Sequence, residues 1–339
     1  QGTGNDAIVL TTGMDQTGVD QCHVIANRIT NAAGLGISIE TIIKSAMIKN
    51  NFIDGAVSGG IVMGDKSSAQ VITVENNRIS NIRQRPDTEI GSVFGVRLFD
   101  AARGEVVNNT ITGVGLQGPG ARCVGVQLAA STEVRVAGNE IVDIGPPEGN
   151  AQTSAGVESL GAFEELDVSG NTVRRSAAAS QAVDSAEWYA VLISGAQAAP
   201  PRLRGVTTFF AARSNTAFLF SPGRLVARAP GRESVSLRNN RFDAYGVAEA
   251  VMIAVSGACA ISDNRCLLRG REQPAIQSAA ASAIVSSNQV QGTQGRTTVV
   301  LKLPERGPFT VLGNITTNAI EINGAALPAP WAPLNVQGA

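Results

Sequence analysis

The chain has 339 residues, among them 37 Gly and 14 Pro, with 43% hydrophobic, 4% aromatic and 16% charged residues and a formal net charge of −1. An ordinary apolar fraction at almost no net charge excludes a disordered chain, and it excludes a nucleic-acid binder that relies on a strong basic field. The longest apolar stretch, residues 250–261, is broken by Ser256 and Gly257 and is too short to span a bilayer.

From the N-terminus onward one pattern recurs: an apolar residue, two free positions, Asn, one free position, then another apolar residue. It reads VIANRI, IKNNFI, VENNRI, VVNNTI, VAGNEI, VSGNTV, LRNNRF, ISDNRC, VSSNQV and VLGNIT. The asparagines are Asn27, Asn51, Asn77, Asn109, Asn139, Asn171, Asn240, Asn264, Asn288 and Asn314, with successive gaps of 24, 26, 32, 30, 32, 69, 24, 24 and 26. The gap of 69 divides into 44 and 25 if Asn215 is a degenerate copy, which implies one more turn between Arg174 and Phe210.

A second motif, small residue, apolar, free, apolar, falls between these copies as GISI, GIVM, GVRL, GVQL, GVES, AVLI, AVMI and AIEI. Its first apolar residues are Ile37, Ile61, Val96, Val126, Val157, Val251 and Ile276, with Val299 in TVVL. Period-two alternation with β-branched residues predicts strands, and the Gly and Asn between them predict turns. Such a repeat with no helical half predicts a parallel β-solenoid whose strands stack on their own copies, and the missing Leu spacing argues against a leucine-rich repeat. The recurrent Asn suits a turn that needs left-handed backbone, and its amide can bond the copies above and below.

On these repeats the chain resembles the right-handed parallel β-helices of the pectate-lyase-like superfamily. The expected fold is all-β, a single-stranded parallel β-helix of about 11–12 coils over residues 1–322, with an extended Pro-rich tail or cap over 323–339. The end of the chain, GNITTNAIEINGAALPAPWAPLN, also resembles β-helix regions of proteins associated with phage-tail-like contractile machines. The superfamily includes lyases, hydrolases, epimerases, tailspikes, adhesins and spacers, so fold does not choose among them.

The distance from each Asn to the next strand is 10 and 10, then 19, 17, 18 and 20, then 11, 12 and 11. Four consecutive coils thus carry long loops at one corner, 80–94, 112–123, 142–155 and 174–189, which stack into a wall suited to a partner chain or glycan. Arg83, Arg85, Asp143, Glu148, Trp188 and Tyr189 are its candidate contacts. Trp188 and Tyr189 could form a sugar-stacking platform, although packing against the AVLI strand is the favoured reading of both.

Stacking would place carboxylates of adjacent coils at glycosidase-like spacing. The aligned sets are Glu105, Arg135, Asp167 and Arg103, Glu133, Glu165, where interleaved arginines predict an outward, charge-compensated ladder. The resemblance to pectate lyases implies a calcium-holding aspartate cluster and a basic residue; the hydrolases and epimerases imply an Asp-Asp pair with Gly-His-Gly, and Asp-Pro-His-Asp. None is legible, and the single histidine, His23, lies far from the wall. Cys22, Cys123, Cys259 and Cys266 show no metal spacing, Cys266 reads as a buried small hydrophobe, and a Cys259–Cys266 disulfide stays open. Turn glycines explain GVGLQGPG better than a phosphate loop does, and Trp331 is expected to cap an end or pack on a partner.

The reading is a non-catalytic structural or binding β-helix module with no cofactor, no metal, no nucleic acid and no membrane span. It would belong to a larger bacterial extracellular or tail-like assembly, or to a particle assembled in the cytoplasm, with a parent polypeptide, subunits or a glycan as partners. A polysaccharide lyase or glycoside hydrolase is the alternative, and a tailspike-like homo-oligomer a third. The opening Gln1 suggests a piece of a longer product.

Overall fold

The computed structural model describes residues 6–11, 18–64, 67–84, 91–116, 122–146, 153–160, 163–176, 187–194, 234–245, 249–256, 258–271, 274–279, 282–293, 297–303 and 307–338. The described strands form three sheets of 12, 10 and 11 strands, here A, B and C, which the chain visits in turn. Sheet A begins at Ile8–Leu10, sheet B at Val19–Ile25 and sheet C at Arg28–Thr30. Every strand pairs in parallel with its copy one coil on, except the final strand of sheet A, Ala325–Ala326, which is antiparallel to Ala319–Ile322. Eleven coils result, the architecture the repeat predicts.

The small-apolar-free-apolar motif builds sheet A. Its first apolar residue forms a continuous inner row, Ile37, Ile61, Val96, Val126, Val157 and Val191, each 0% exposed. A fully buried Val or Ile contributes about 1.5–3 kcal/mol, which is what offsets the ordering of so many short strands. The small residue before it is required sterically. A Cβ on Gly125 would lie 2.6 Å from the Gly156 carbonyl oxygen and 2.7 Å from the Ile141 Cγ2. The same crowding holds at Gly36, Gly60, Gly95 and Gly156, where sheet C side chains press against sheet A backbone. Gly125→Ala is therefore expected to cost about 1–3 kcal/mol by overpacking, measured as a lower denaturant midpoint with an unchanged slope.

Two details of the repeat differ from expectation. In the coil after Val191 the row continues at Ile253, not Val251, which pairs with Tyr189. No extra coil enters the stack here: strands Glu165–Ser169 and Ser234–Arg238 are direct neighbours, as are Thr172–Arg175 and Arg241–Tyr245. The 69-residue gap is one coil with a long insert between sheets A and B; Asn215 falls outside the described residues. Loop closure entropy grows slowly with length, so one coil can carry such an insert.

The asparagines form an unbroken buried ladder. In each step the backbone N–H and the side-chain Nδ2 of one Asn both donate to the Oδ1 of the next, at 2.9–3.1 Å from Asn51 through Asn314. The second Nδ2 hydrogen reaches a backbone carbonyl one coil back, as from Asn139 to Val106 at 2.8 Å. Asn171 bonds directly to Asn240, the local proof that no coil intervenes. Left-handed backbone falls on the residue before each ladder asparagine, not on the asparagine: Asn108 has φ 57° and Gly138 φ 65°. The reversal just upstream is what turns the amide inward.

At the C-terminus the chain folds back as a cap instead of staying extended. Trp331 packs on Phe309, with ring centroids 5.8 Å apart, and a 3-10 turn over Ala332–Leu334 leads to Val336–Gln337, the last strand of sheet C. Asn335 becomes an eleventh rung, accepting from Asn314 and donating its Nδ2 to the carbonyls of Trp331 and Val311. All four cysteines are free thiols; Cys259 and Cys266 lie on different sheets, in register with Ala283 and Val290 respectively.

Candidate binding site at the loop-bearing corner

All four long loops run from sheet C to sheet A, so they emerge from the same corner of consecutive coils. Residues 85–90, 117–121, 147–152 and 177–186 of them lie outside the described residues; the foot of the wall is described. In the first five coils this corner turns through a residue with positive φ: Asn31, Gly55, Asn81, Gly113 and Asp143. In the sixth, Arg175 follows Arg174 within strand Thr172–Arg175 and keeps extended pairing. Only 7% exposed, it donates from Nη1 to the Ile144 carbonyl at 2.7 Å and from Nη2 to the Pro146 carbonyl at 2.6 Å. Its guanidinium therefore holds the root of the neighbouring loop. Burial lowers the Arg175 pKa, with nearby Asp143 and Cys123 opposing.

Asp143 accepts from the backbone N–H of Ser176 at 2.6 Å and from its hydroxyl at 2.9 Å, so its carboxylate closes the same corner one coil up. Cys123, Ser154 and Trp188 share one column on sheet A, all buried. Burial pushes the Cys123 thiol up to about 12, which makes it inert.

The outer face of sheet A beside these loops carries a row that the motif treats as free. Arg97, Gln127 and Glu158 are in register, flanked by Phe94, Val124, Ala155 and Tyr189. Although they alternate with core residues and so face away from the interior, Arg97 is 6%, Gln127 4% and Glu158 0% exposed. Gln127 donates to Glu158 at 2.8 Å, Arg122 lies 3.1 Å from its other oxygen, and the Arg97 guanidinium stacks over Phe94 and Phe99. Desolvation raises the Glu158 pKa against the opposing pull of Arg122 and Gln127. Three successive coils with Arg, Gln and Glu at the free position were the available sequence signal, hidden because the motif assigns that position no role.

The six sequence candidates separate. Arg83 is exposed at the corner, its backbone bridged to Val57. Asp143 is partly buried and committed to Ser176. Tyr189 is half-buried against Phe94, Val124 and Ala155, on the outer face. Trp188, 1% exposed, points into the core, so it offers no surface for a sugar. Arg85 and Glu148 lie outside the described residues. His23 sits exposed on the first strand of sheet B, away from this corner.

On sheet B the charge ladder has the expected register: Arg103, Glu133, Glu165 and Glu105, Arg135, Asp167 stack in order. Arg103 reaches Glu133 at 3.1 Å, while Asp167 lies 3.8 Å from Arg135 and 3.4 Å from Arg238. A shallow groove of about 550 Å³ runs along this ladder, lined by both signs of charge. Among the described residues no group of three or more His, Cys, Asp or Glu is placed to hold a metal ion, and no helix is long and apolar enough to cross a membrane.

Glu158 supplies a pH test. A carboxyl whose folded pKa is raised binds more protons folded than unfolded, so its contribution to stability falls as pH rises from the usual glutamate range toward the raised value. Glu158→Gln removes the charge and is expected to raise the thermal midpoint more at about pH 8 than at about pH 5, flattening the profile.

No curated protein and no solved structure matches the chain. The model of one family, described as a right handed beta helix region, matches residues 2–194, which cover more than half of the chain and end with the sheet A strand before the long insert. With that match, the asparagine ladder and three parallel sheets visited in turn, the chain belongs to the right-handed β-helix family.

Proposed function

We propose that the chain is a non-catalytic structural or binding module of a larger extracellular or phage-tail-like assembly, in which the loop wall meets a partner chain or a glycan. The observation that carries this reading is the use made of polar groups at the foot of the wall. Arg175 and Asp143 fasten backbone, and Glu158 is enclosed by Arg122 and Gln127, so these charges build a rigid base for the loops. Of the acids that stacking aligns on sheet B, Glu105 and Asp167 flank Arg135 and Asp167 also meets Arg238, while Glu133 lies between Arg103 and Glu165; arginines thus accompany all of them except at the exposed Glu133–Glu165 step, and that solvated pair lacks the burial that poises a carboxyl for acid–base chemistry.

The second reading, a polysaccharide lyase or glycoside hydrolase, draws on Glu158 itself, since a buried carboxyl of raised pKa is a common mark of a reactive site. Its complete burial favours the structural role. A panel of uronate and neutral polysaccharides, assayed both for retention on the protein and for unsaturated products and reducing ends, separates the two. Retention without turnover is the expected result. Turnover abolished by Glu158→Gln, or by any other single Asp or Glu substitution, would install the enzyme reading in its place.

A further inference from the structure

Asn323 and Gly324 make the only Asn-Gly step in the chain. They form the two-residue turn between Ala319–Ile322 and the antiparallel strand Ala325–Ala326, with φ 51° at Asn323 and 78° at Gly324, the pair of positive values that such a hairpin needs. Both residues are exposed, and a Cβ placed on Gly324 would meet nothing within 4 Å.

The polar groups of this turn are engaged unequally. The Asn323 N–H donates to the Leu301 carbonyl at 2.8 Å, and the Asn323 Oδ1 accepts from the Leu303 N–H at 2.8 Å, so the side chain is held against the neighbouring sheet A strand. Among the described residues nothing accepts from the Gly324 N–H or from the Asn323 Nδ2. The turn therefore combines an unhindered backbone nitrogen, an amide oxygen that already carries a donor, and an amide nitrogen open to solvent.

We infer that Asn323 is a site of spontaneous modification in the folded chain, converted through a succinimide ring to aspartyl and isoaspartyl forms. The Gly324 nitrogen loses its proton to hydroxide and attacks the Asn323 Cγ; the negative charge that develops falls on Oδ1, where the Leu303 N–H stabilises it. The Cγ–Nδ2 bond breaks, and Nδ2 leaves as ammonia with a proton taken from water. Water then opens the ring at Cγ, which restores the ordinary peptide bond beside an aspartyl side chain, or at the main-chain carbonyl carbon, which routes the backbone through Cγ. One water is consumed and one ammonia released, with no change of oxidation state.

The other positions each lack a part of this arrangement. Asp54 also precedes a glycine, but the Gly55 N–H is held by the Ser80 carbonyl at 3.0 Å and the Asp54 carboxylate by Ser80 and Asn81. The ladder asparagines from Asn51 to Asn314 are at most 2% exposed, and a residue bearing a side chain follows each. The isoaspartyl form adds a backbone atom to the turn, so it shifts Ala325 and Ala326 against their partners Ile322 and Glu321 and loosens the buried Leu327 beyond them.

The test keeps the folded protein at mildly alkaline pH, then digests it and weighs the fragments, with the free peptide 321–326 treated in parallel. Expected at Asn323 is a gain of about one mass unit in two separable isomers, at a rate within about tenfold of the peptide's and at least about tenfold above any ladder asparagine, since those react only when their coils open. Gly324→Ala, which sets a methyl group beside the attacking nitrogen, should slow protein and peptide alike by about tenfold. Conversion of the peptide with none in the folded chain over the same time overturns the proposal. So does an unchanged rate in Gly324→Ala, or a single aspartyl product, because either marks direct hydrolysis without a ring.

Discussion

Asn139→Ala is expected to destabilise the protein by about 3–5 kcal/mol, while Asn27→Ala costs less than about 1 kcal/mol, although both remove the same side chain from the same repeat position. Asn139 is 1% exposed, and its Oδ1 accepts from the N–H and the Nδ2 of Asn109 while its own Nδ2 serves Val106 and Asn171. Truncation orphans the Asn109 N–H and the Val106 carbonyl in a place water does not reach, and each such buried group costs about 1–3 kcal/mol. Asn27 belongs to the first described coil and is only partly buried, and the Asn51 Oδ1 it serves keeps the backbone donor when the side chain goes. Denaturant unfolding of the two variants reads the difference directly. Equal losses would mean that the asparagines matter for turn conformation and not for the ladder. Asn139→Asp sharpens the test, since it preserves shape but turns an acceptor toward the Val106 carbonyl, and it should be at least as damaging as alanine.

The ladder was legible because a hydrogen bond between identical residues requires the same residue at the same phase in every coil, and a strict requirement leaves a strict pattern. The left-handed residue just before it was assigned to the wrong position for the opposite reason. That site accepts Ala26, Asn50, Gly138, Asp263 and Ser287 alike, so its common backbone leaves no common letter. Asn335 escaped notice because the residue two beyond it is Gln337 and the apolar frame is broken there, although the amide still finds the ladder. Identity also misled at the long gap: Asn215 has the right letter at a plausible distance, but pairing of Glu165–Ser169 with Ser234–Arg238 leaves no room for a coil. At the loop corner the lengths located where the four long connections leave the stack, while the contacts at their feet, through Arg175 and Glu158, run across coils and so are contained in no single-coil pattern.

Removing residues 85–90, 117–121, 147–152 and 177–186 together, so that each connection approaches the ten-residue spacing of the first two coils, is expected to leave the solenoid folded and, on the proposed function, to abolish binding of a partner or glycan. Folding should survive because the strands on either side of each loop pair with their copies in adjacent coils, not with the loop, and because shortening a loop changes closure entropy by well under about 1 kcal/mol per halving. The foot of the wall remains in this variant: Arg175 still has the Ile144 and Pro146 carbonyls, and Asp143 still has Ser176. Circular dichroism and the unfolding midpoint report the first half of the expectation, and retention on the polysaccharide panel or on assembly subunits reports the second. On the proposed function, single-loop deletions should lower affinity in steps. A four-loop variant that folds and binds at unchanged affinity would move the contact surface off this corner, either to the sheet B groove between Glu105 and Arg238 or to the solenoid ends.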